Sequence, residues 1–261
     1  MDYSKYFPEI GQEIWHFKEL PRAMSLAKKL IKIFPEKANG RIIRAEFLTQ
    51  AKGRFDRKWF AMKGGLWIAI SIYDEFLPDN SSLIPLIFGL AMVRCTHHFN
   101  IIQAKIKWIN DLHYNGKKIG GVLLEKFENW YIAGIGLNVN NSLPYNFPAL
   151  SLKDFLGKRL SIIEVLKTII YWLRYYFGFL RFYERKKLKE EKINNLIIED
   201  FKKFSDTLGK WILYSYNIDK EENIIIGKVL EITEKGTLLI NTTDLEEETF
   251  EISSGEIFYI L

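Results

Sequence analysis

The hydrophobic period of this chain changes after residue 160, and that change constrains the fold more than any other feature. Across residues 161–189 apolar side chains recur every 3.6 residues, which predicts one long amphipathic helix, and a shorter helix is predicted over residues 194–204. The pattern then becomes strand-like at residues 211–216, 223–232, 237–242, 247–252 and 257–261. Such a closing set of short strands predicts a small β-barrel. We therefore place a domain boundary near Ser205, between residues 1–204 and residues 205–261.

The first half of the chain alternates between strand and helix patterns. Strand patterns cover residues 13–17, 41–48, 66–73, 106–109, 119–125 and 130–137. Helix patterns cover residues 23–34 and about 81–99, where Ser81 and Ser82 are predicted to cap the helix and Pro85 fits its first turn. This mixture predicts an α+β fold.

Composition and charge exclude several classes of protein. Of the 261 residues, 48% are hydrophobic and 15% are aromatic, which favours a folded domain with a substantial core over a disordered segment. The net charge of +5 suits an anionic ligand but is mild for a DNA-binding protein. The most apolar window, residues 83–93, is too short to span a bilayer, and no secretory signal is visible. We expect a cytoplasmic protein that binds neither DNA nor a membrane.

Cysteine and histidine usage is uninformative about metals. The single cysteine, Cys95, excludes an internal disulfide and is compatible with a reducing cytosol. The four histidines lack the carboxylate or cysteine neighbours typical of a metal site. No metal ligands are predicted among the side chains.

A basic loop lies between two predicted strands at residues 49–59. It carries four cations around Gly53, namely Lys52, Arg54, Arg57 and Lys58, and it ends at Trp59. Glycine lets a ligand approach the backbone closely, and arginine can hold phosphate or carboxylate oxygens with two parallel hydrogen bonds. The loop is a candidate anion site, although taken alone it could equally be a solvated basic loop.

A second polar segment interrupts an apolar pattern at residues 107–121. Lys107, Asn110 and Asp111 end one strand, and Lys118 precedes the pair Gly120 and Gly121. Burying such groups without partners costs free energy, so they are expected at a site or at the surface. The alternative is a solvated hairpin turn at Asn115-Gly116, a strong turn signal.

A third segment, Gly134-Ile135-Gly136-Leu137-Asn138, ends a strand with small residues. Gly136 would let a flat ligand lie against the sheet, and the Asn138 amide offers both a donor and an acceptor to a base. Taken alone, the segment could also be an ordinary turn at the end of a strand.

In this order, the three segments resemble the biotin–protein ligases, also called biotin–[acetyl-CoA carboxylase] ligases. The resemblance runs from about Glu13 to Leu261 and includes Gly64-Gly65-Leu66, Ser205-Asp206-Thr207-Leu208-Gly209-Lys210 and Ser254-Gly255-Glu256-Ile257. It implies a mixed β-sheet flanked by helices and a C-terminal SH3-like β-barrel. It also implies that biotin and ATP, with Mg²⁺, form biotinyl-5′-AMP. A lysine of a biotin carboxyl carrier domain would then take the biotinyl group, and homodimers occur in the family.

The resemblance also assigns site residues. It implies catalytic roles for Lys118, Arg54 and Asp111. The implied substrate- and adenylate-binding residues are Lys52, Gly53, Arg54, Arg57, Trp59, Lys107, Asn110, Lys118, Gly120, Gly121, Gly136 and Asn138.

The departures from the family concern mainly the acid-binding residues. Arg22-Ala23-Met24 stands where the family has Ser/Thr-Thr-Asn, and Leu48 stands where it has glutamine, so the usual partners of the ureido ring of biotin are missing. Two further hypotheses therefore stay open. One is a related acyl-adenylate ligase for lipoate or a fatty acid, and the other is a divergent member that binds ligand without catalysis. A repressor role is not expected, since no DNA-binding helix-turn-helix precedes the first strand.

Overall fold

The N-terminal part of the chain forms one mixed seven-stranded sheet. The computed structural model describes residues 3–220, 224–242 and 248–260. The strands are β1 (Ile14–Leu20), β2 (Ile42–Leu48), β3 (Leu66–Tyr73), β4 (Lys105–Lys107), β5 (Asp111–Tyr114), β6 (Lys117–Phe127) and β7 (Trp130–Leu137). Their order is β1-β2-β3-β7-β6-β5-β4, with β1 and β2 parallel and the other neighbours antiparallel.

The composition of the central strand, β3, requires that both faces of the sheet be packed. All residues of β3 except Tyr73 are buried, and its sequence Leu-Trp-Ile-Ala-Ile-Ser-Ile-Tyr is almost continuously apolar. A strand of this kind is stable only when both of its faces are packed.

Five helices accompany the sheet. They are α1 (Ala23–Ile33), α2 (Ile84–His98), α3 (Leu152–Leu156), α4 (Ile162–Lys187) and α5 (Leu196–Phe204). Helix α1 buries Ala27, Leu30 and Ile31 in a cluster with Ile43 of β2 and Ile132 of β7. Residues of α2, α4 and α5 belong to a second, larger core, so the helices flank the sheet as predicted. None of the described helices combines the length and apolarity needed to cross a bilayer.

The predicted start of the second helix is wrong. Residues Pro78–Leu83 form a 3₁₀ turn, and α2 begins at Ile84 with Pro85 in its first turn. The Ser81 hydroxyl donates to the carbonyl of Pro78 at 2.7 Å instead of capping α2. A serine hydroxyl can satisfy a local turn as readily as a helix terminus.

The C-terminal part forms the predicted five-stranded unit. Its strands are β8 (Trp211–Ser215), β9 (Ile225–Ile232), β10 (Leu238–Thr242), β11 (Thr249–Ile252) and β12 (Glu256–Tyr259). They pair antiparallel in the order β11-β10-β9-β8-β12, and among the described residues no ladder joins β11 to β12. The predicted strand ends at Asn223, Glu247 and Leu261 lie outside the described residues. The α+β class with a small C-terminal SH3-like unit is confirmed, and its ladder is open rather than closed.

The small sheet packs directly onto the larger part. Ile212 and Val229 share one hydrophobic core with Ile106 of β4. The indole N–H of Trp108 donates to the carbonyl of Gly236 at 2.9 Å, and the backbone N–H of Trp108 donates to the Thr207 hydroxyl at 3.0 Å. These contacts place the C-terminal strands beside the segment that follows β4.

Candidate active site

A cavity of about 360 Å³ opens where α1, the basic loop, β6, β7 and β12 meet. Residues from all three polar segments line it: Lys52, Gly53, Arg54, Arg57, Trp59, Lys107, Asn110, Asp111, Lys118, Gly121, Gly136 and Asn138. Arg54 and Lys118 therefore share one cavity although 64 positions separate them in the sequence.

Gly120 is the exception among the predicted site residues. It does not line the cavity, and a Cβ atom built on it would lie 2.9 Å from the Leu137 side chain and 3.4 Å from Met92 Sδ. Successive residues of a strand face opposite sides of the sheet. Gly121 therefore faces the cavity, whereas Gly120 faces the core on the α2 side.

Lys118 and Asp111 form the central ion pair of the cavity. Lys118 Nζ donates to Asp111 Oδ2 at 2.7 Å, and it also lies 5.2 Å from the ring centre of Trp59. Adjacent strands β5 and β6 bring the two residues together. The ammonium group keeps further N–H donors for an anion, because Asp111 uses one of three.

The basic loop is held by the C-terminal strands. Arg57 donates to both carboxylate oxygens of Glu256, at 2.5 and 2.8 Å, and its Nε donates to Asp219 at 2.8 Å. These carboxylates raise the pKa of Arg57 above its ordinary value. Arg54 Nη1 donates to the carbonyl of Gly255 at 2.5 Å. The loop thus lies against β12 rather than extending into solvent.

The tip of the loop has an unusual backbone. Asp56 has a φ of +61°. Asparagine and aspartate adopt this left-handed region more readily than most residues. The Asp56 carboxylate also accepts a hydrogen bond from Lys52 Nζ at 2.8 Å. The aspartate therefore fits the turn that the loop makes here.

Lys107 is a partly buried cation of the cavity. Burial lowers its pKa, and the nearby Lys118 lowers it further, whereas Asp111 opposes the shift. Its Nζ lies 4.8 Å from the ring centre of Phe258 and 5.7 Å from that of Tyr259. A positive charge is favoured over an aromatic face, so these rings offset part of the cost of burial.

Two asparagines of the cavity are held by hydrogen bonds of their side-chain amides. Asn110 Nδ2 donates to the carbonyl of Val122 at 3.1 Å, and Asn138 Oδ1 accepts from Asn141 Nδ2 at 3.0 Å. These bonds fix the side chains. Asn110 keeps its amide oxygen, and Asn138 keeps its amide nitrogen, for interactions within the cavity.

Trp59 packs over Gly136 of β7. A Cβ atom at Gly136 would lie 3.0 Å from the indole ring, so the indole would have to shift by a few tenths of an ångström to accept a side chain there. The indole N–H is buried and has no hydrogen-bond partner within residues 3–220, 224–242 and 248–260. A buried donor of this kind is costly unless a ligand satisfies it.

Comparison with known proteins agrees with this geometry. The family model described as the biotin/lipoate A/B protein ligase family matches residues 25–140. A crystal structure of the biotin protein ligase from Aquifex aeolicus, in complex with biotin and ATP, superposes with a TM-score of 0.78. It is 27% identical, and the alignment covers 95% of this chain and 99% of that one. Over residues 25–140 the chain is similar to the biotin/lipoate A/B protein ligase family, and its whole fold is similar to that of the Aquifex aeolicus ligase.

The curated relatives of this family match over shorter stretches. The bifunctional ligase/repressor BirA of Bacillus subtilis is 30% identical over 143 residues, which cover 50% of this chain and 44% of that protein. The chain thus spans less than half the length of the first curated relatives that it matches. The biotin–[acetyl-CoA-carboxylase] ligase of Mycobacterium tuberculosis is 22% identical over 228 residues, covering 85% of this chain and 80% of that protein.

The cavity also contains residues that the sequence patterns did not assign to it. Gly255, Glu256, Ile257 and Phe258 line it, and the closing motif at residues 254–257 had been given no role in the site. The match of that motif to the ligase pattern was the available signal. Its proximity to the basic loop depends on the packing of the C-terminal strands, which no local pattern predicts.

Proposed function

We propose that this protein is an ATP-dependent biotin–protein ligase that makes biotinyl-5′-AMP and transfers biotin to a lysine of a biotin carboxyl carrier domain. The observation that carries the proposal is the shared cavity, which is lined both by the cations Arg54, Arg57 and Lys118 and by apolar side chains such as those of Met24 and Leu48. An acyl-adenylate needs both kinds of side chain, because it joins an anionic phosphate to a largely apolar acyl chain.

The first half-reaction brings two anions together. A carboxylate oxygen of biotin attacks the α-phosphorus of ATP, the bond to the bridging oxygen breaks, and pyrophosphate leaves. Positive side chains lower the barrier by offsetting the repulsion and the charge that develops at phosphorus. We assign Lys118 to the carboxylate and α-phosphate, and Arg54, Arg57 and Lys52 to the phosphates and the ordering of the loop.

Asp111 and the small residues position these groups. Asp111 orients Lys118 through their 2.7 Å hydrogen bond. Asn110 and Lys107 belong to the nucleotide region, and Asn138 to the adenine pocket. Gly53 lets the loop backbone approach the phosphates. The glycines at 121 and 136, with Trp59, form a flat floor for the adenylate.

We propose that Mg²⁺ binds at the site together with ATP. Across the described ranges, no three His, Cys, Asp or Glu side chains gather as a metal site. Mg²⁺ commonly takes one or two carboxylates and completes its shell with water and substrate phosphates. Asp111 offers a carboxylate that fits this role. The ion would supply positive charge beside the phosphates.

The second half-reaction transfers the acyl group. The amine nitrogen of the acceptor lysine attacks the acyl carbon, the bond to the phosphate oxygen breaks, AMP leaves, and the amine loses a proton. A loop that stays closed over the cavity would protect the mixed anhydride from water until the acceptor arrives.

The proposal also covers the domain boundary, the cellular location and the oligomeric state of the protein. We propose domains at residues 1–204 and 205–261, a cytoplasmic location suited to a reaction that consumes ATP, and a homodimer formed at a sheet edge. The position of β1 at the end of the strand order supports the last point, because its outer edge pairs with no other described strand. Such edges are ready templates for pairing with a second chain.

A second candidate is an acyl-adenylate ligase for a different acid. Ala23, Met24 and Leu48 line the cavity where the family pattern has hydrogen-bonding residues. These side chains cannot pair with a ureido ring, so they favour an acid without one.

The decisive experiment is ATP–pyrophosphate exchange with biotin, lipoate and octanoate supplied separately. We expect exchange with biotin. Exchange only with lipoate or octanoate would establish the second candidate, and no exchange with any acid would identify a binding protein without catalysis.

A further inference from the structure

One wall of the cavity is formed by paired residues on one face of strands β6 and β7. The register pairs Gly121 with Gly136, Leu123 with Gly134 and Glu125 with Ile132. Directly paired residues share a face of the sheet. The first two pairs line the cavity. Glu125 is four positions beyond Gly121, which corresponds to roughly 13 Å along the strand. The face is therefore a trough that runs away from Lys118 and Asp111.

Because Gly134 has no side chain, another residue can pack against the strand backbone in the middle of the trough. A Cβ atom at Gly134 would lie 2.6 Å from Met24 Sδ. The Met24 side chain therefore rests directly on the strand backbone. Together with Leu123, Ala23 and Leu48 it forms an apolar channel for an acyl chain.

A charged group closes the far end of this channel. Arg22 lines the cavity, and its Nη2 lies 3.4 Å from Glu125 Oε1. Lys28 of α1 holds the other carboxylate oxygen of Glu125 at 2.5 Å. The guanidinium uses one long hydrogen bond, which leaves most of its five N–H donors available.

The backbone holds Arg22 at this position. The carbonyls of Leu20 and Pro21 accept hydrogen bonds from the amides of Thr49 and Gln50, both at 3.0 Å. Arg22 follows as the extended residue before α1. The segment is thus tied to the start of the basic loop, and the side chain reaches across the channel toward β6.

Nearby charges are consistent with this placement. The hydrogen bond from Lys52 lowers the pKa of Asp56, and Arg22 contributes a smaller effect in the same direction. Arg22 therefore lies beside Glu125 of the sheet and within electrostatic range of Asp56 of the loop.

We propose that Arg22 determines acid specificity by donating hydrogen bonds to the carbonyl oxygen at the distal end of the acid, with Glu125 as its positioning residue. The inference rests on the proposed function. A ureido ring supplies such an oxygen, whereas a plain aliphatic acid leaves the guanidinium facing apolar atoms. A site built around a polar contact discriminates strongly against an analogue that lacks the matching group.

The test compares biotin with octanoate in pyrophosphate exchange. We expect Arg22→Ala to raise KM for biotin about tenfold or more, the usual size of a lost hydrogen bond to a charged group. The kcat, the KM for ATP and the KM for octanoate should change little. Arg22→Lys should retain part of the biotin preference, and Glu125→Gln should give an intermediate rise in KM. Lys29→Ala is the matched control, since Lys29 is an exposed cation of the same helix.

Two outcomes would overturn the role of Arg22. One is an equal rise in KM for both acids, which would make the residue merely structural. The other is an Arg22→Ala enzyme with an unchanged preference for biotin. Calorimetric binding of biotin to the wild type and Arg22→Ala separates this inference from the proposed function. Binding that weakens in the variant supports Arg22 even if exchange fails, and equal binding rejects it.

Discussion

Arg57 and Glu256 form a two-bond ion pair that joins the basic loop to the last strand of the C-terminal sheet. The residues are 199 positions apart, and Asp219 adds a third hydrogen bond to the same guanidinium. Two parallel bonds fix the orientation of a guanidinium as well as its position. A phosphate that uses Arg57 must therefore share it with, or take it from, these carboxylates.

We expect Glu256→Gln to loosen the basic loop. The pair is partly exposed, so its contribution to the free energy of unfolding is about 1 kcal/mol or less. The clearer readout is trypsin cleavage after Arg57 or Lys58, which should become several-fold faster. Asp219→Asn serves as the comparison, and it should have a smaller effect because it affects one bond. Equal cleavage rates in all three proteins would contradict docking of the loop by Glu256.

Lys118→Ala should abolish most of the adenylation activity and leave the fold intact. Loss of a single donor that stabilises transition-state charge typically costs about 10²- to 10³-fold in rate. Pyrophosphate exchange measures the loss, and the melting temperature reports the fold. Lys117→Ala is the matched control, because the neighbouring lysine is exposed and does not line the cavity. Undiminished exchange in the Lys118 variant would refute the role.

Gly121→Ala should displace the central ion pair. The added Cβ would lie 2.7 Å from Asp111 Oδ1 and 3.0 Å from Lys118 Cε, closer than real Cβ contacts allow. Both side chains are half-buried and can shift, so we expect lower activity with a small change in melting temperature. Exchange kinetics at saturating ATP measure the effect. Activity equal to that of the wild type would mean that the Lys118–Asp111 geometry is dispensable.

The stability of the protein should depend on pH through Glu184 of α4. Burial raises the pKa of this carboxyl above its ordinary value, although it accepts hydrogen bonds from Leu77 N at 2.8 Å and Asn80 Nδ2 at 2.9 Å. The folded state then binds the proton more tightly than the unfolded state. Stability therefore falls as pH rises from the ordinary glutamate pKa through the raised one.

Glu184→Gln removes this titration and retains an acceptor oxygen. We expect the variant to melt at a higher temperature than the wild type at pH 7, and the difference to shrink near pH 4. Glu190→Gln, at an exposed position just beyond α4, should show no such pattern. A variant that is less stable than the wild type at pH 7 would reverse the assigned sign.

Local patterning predicted most of the secondary structure. The period of 3.6 located α4, and Ser161 caps it by accepting from the backbone N–H of Glu164 at 3.3 Å. Alternating patterns located the last five strands. The start of α2 was predicted wrongly because residues Pro78–Leu83 form a 3₁₀ helix, in which the Ser81 hydroxyl donates to the carbonyl of Pro78 and accepts no hydrogen bond from the first turn of α2. Hydrophobic period is a property of neighbouring residues, whereas the choice between two hydrogen-bond partners depends on the folded backbone.

The site was predicted in part for the same reason. Residue types and their order along the chain indicated cations and glycines that the structure brings to one cavity. Gly120 was assigned to the cavity wrongly, because the facing of two consecutive glycines depends on how β6 pairs with β7. One step along a strand reverses the side of the sheet.

The sequence by itself determined the α+β class, the order of the polar segments and the apolar residues at positions 23, 24 and 48. These properties follow from residue types and their spacing. Only the tertiary structure decided that Glu256 holds Arg57 and that Glu125, 103 positions from Arg22, faces it across the channel. Such contacts form when the chain folds back on itself, and their partners are too far apart in sequence for any local pattern to relate them.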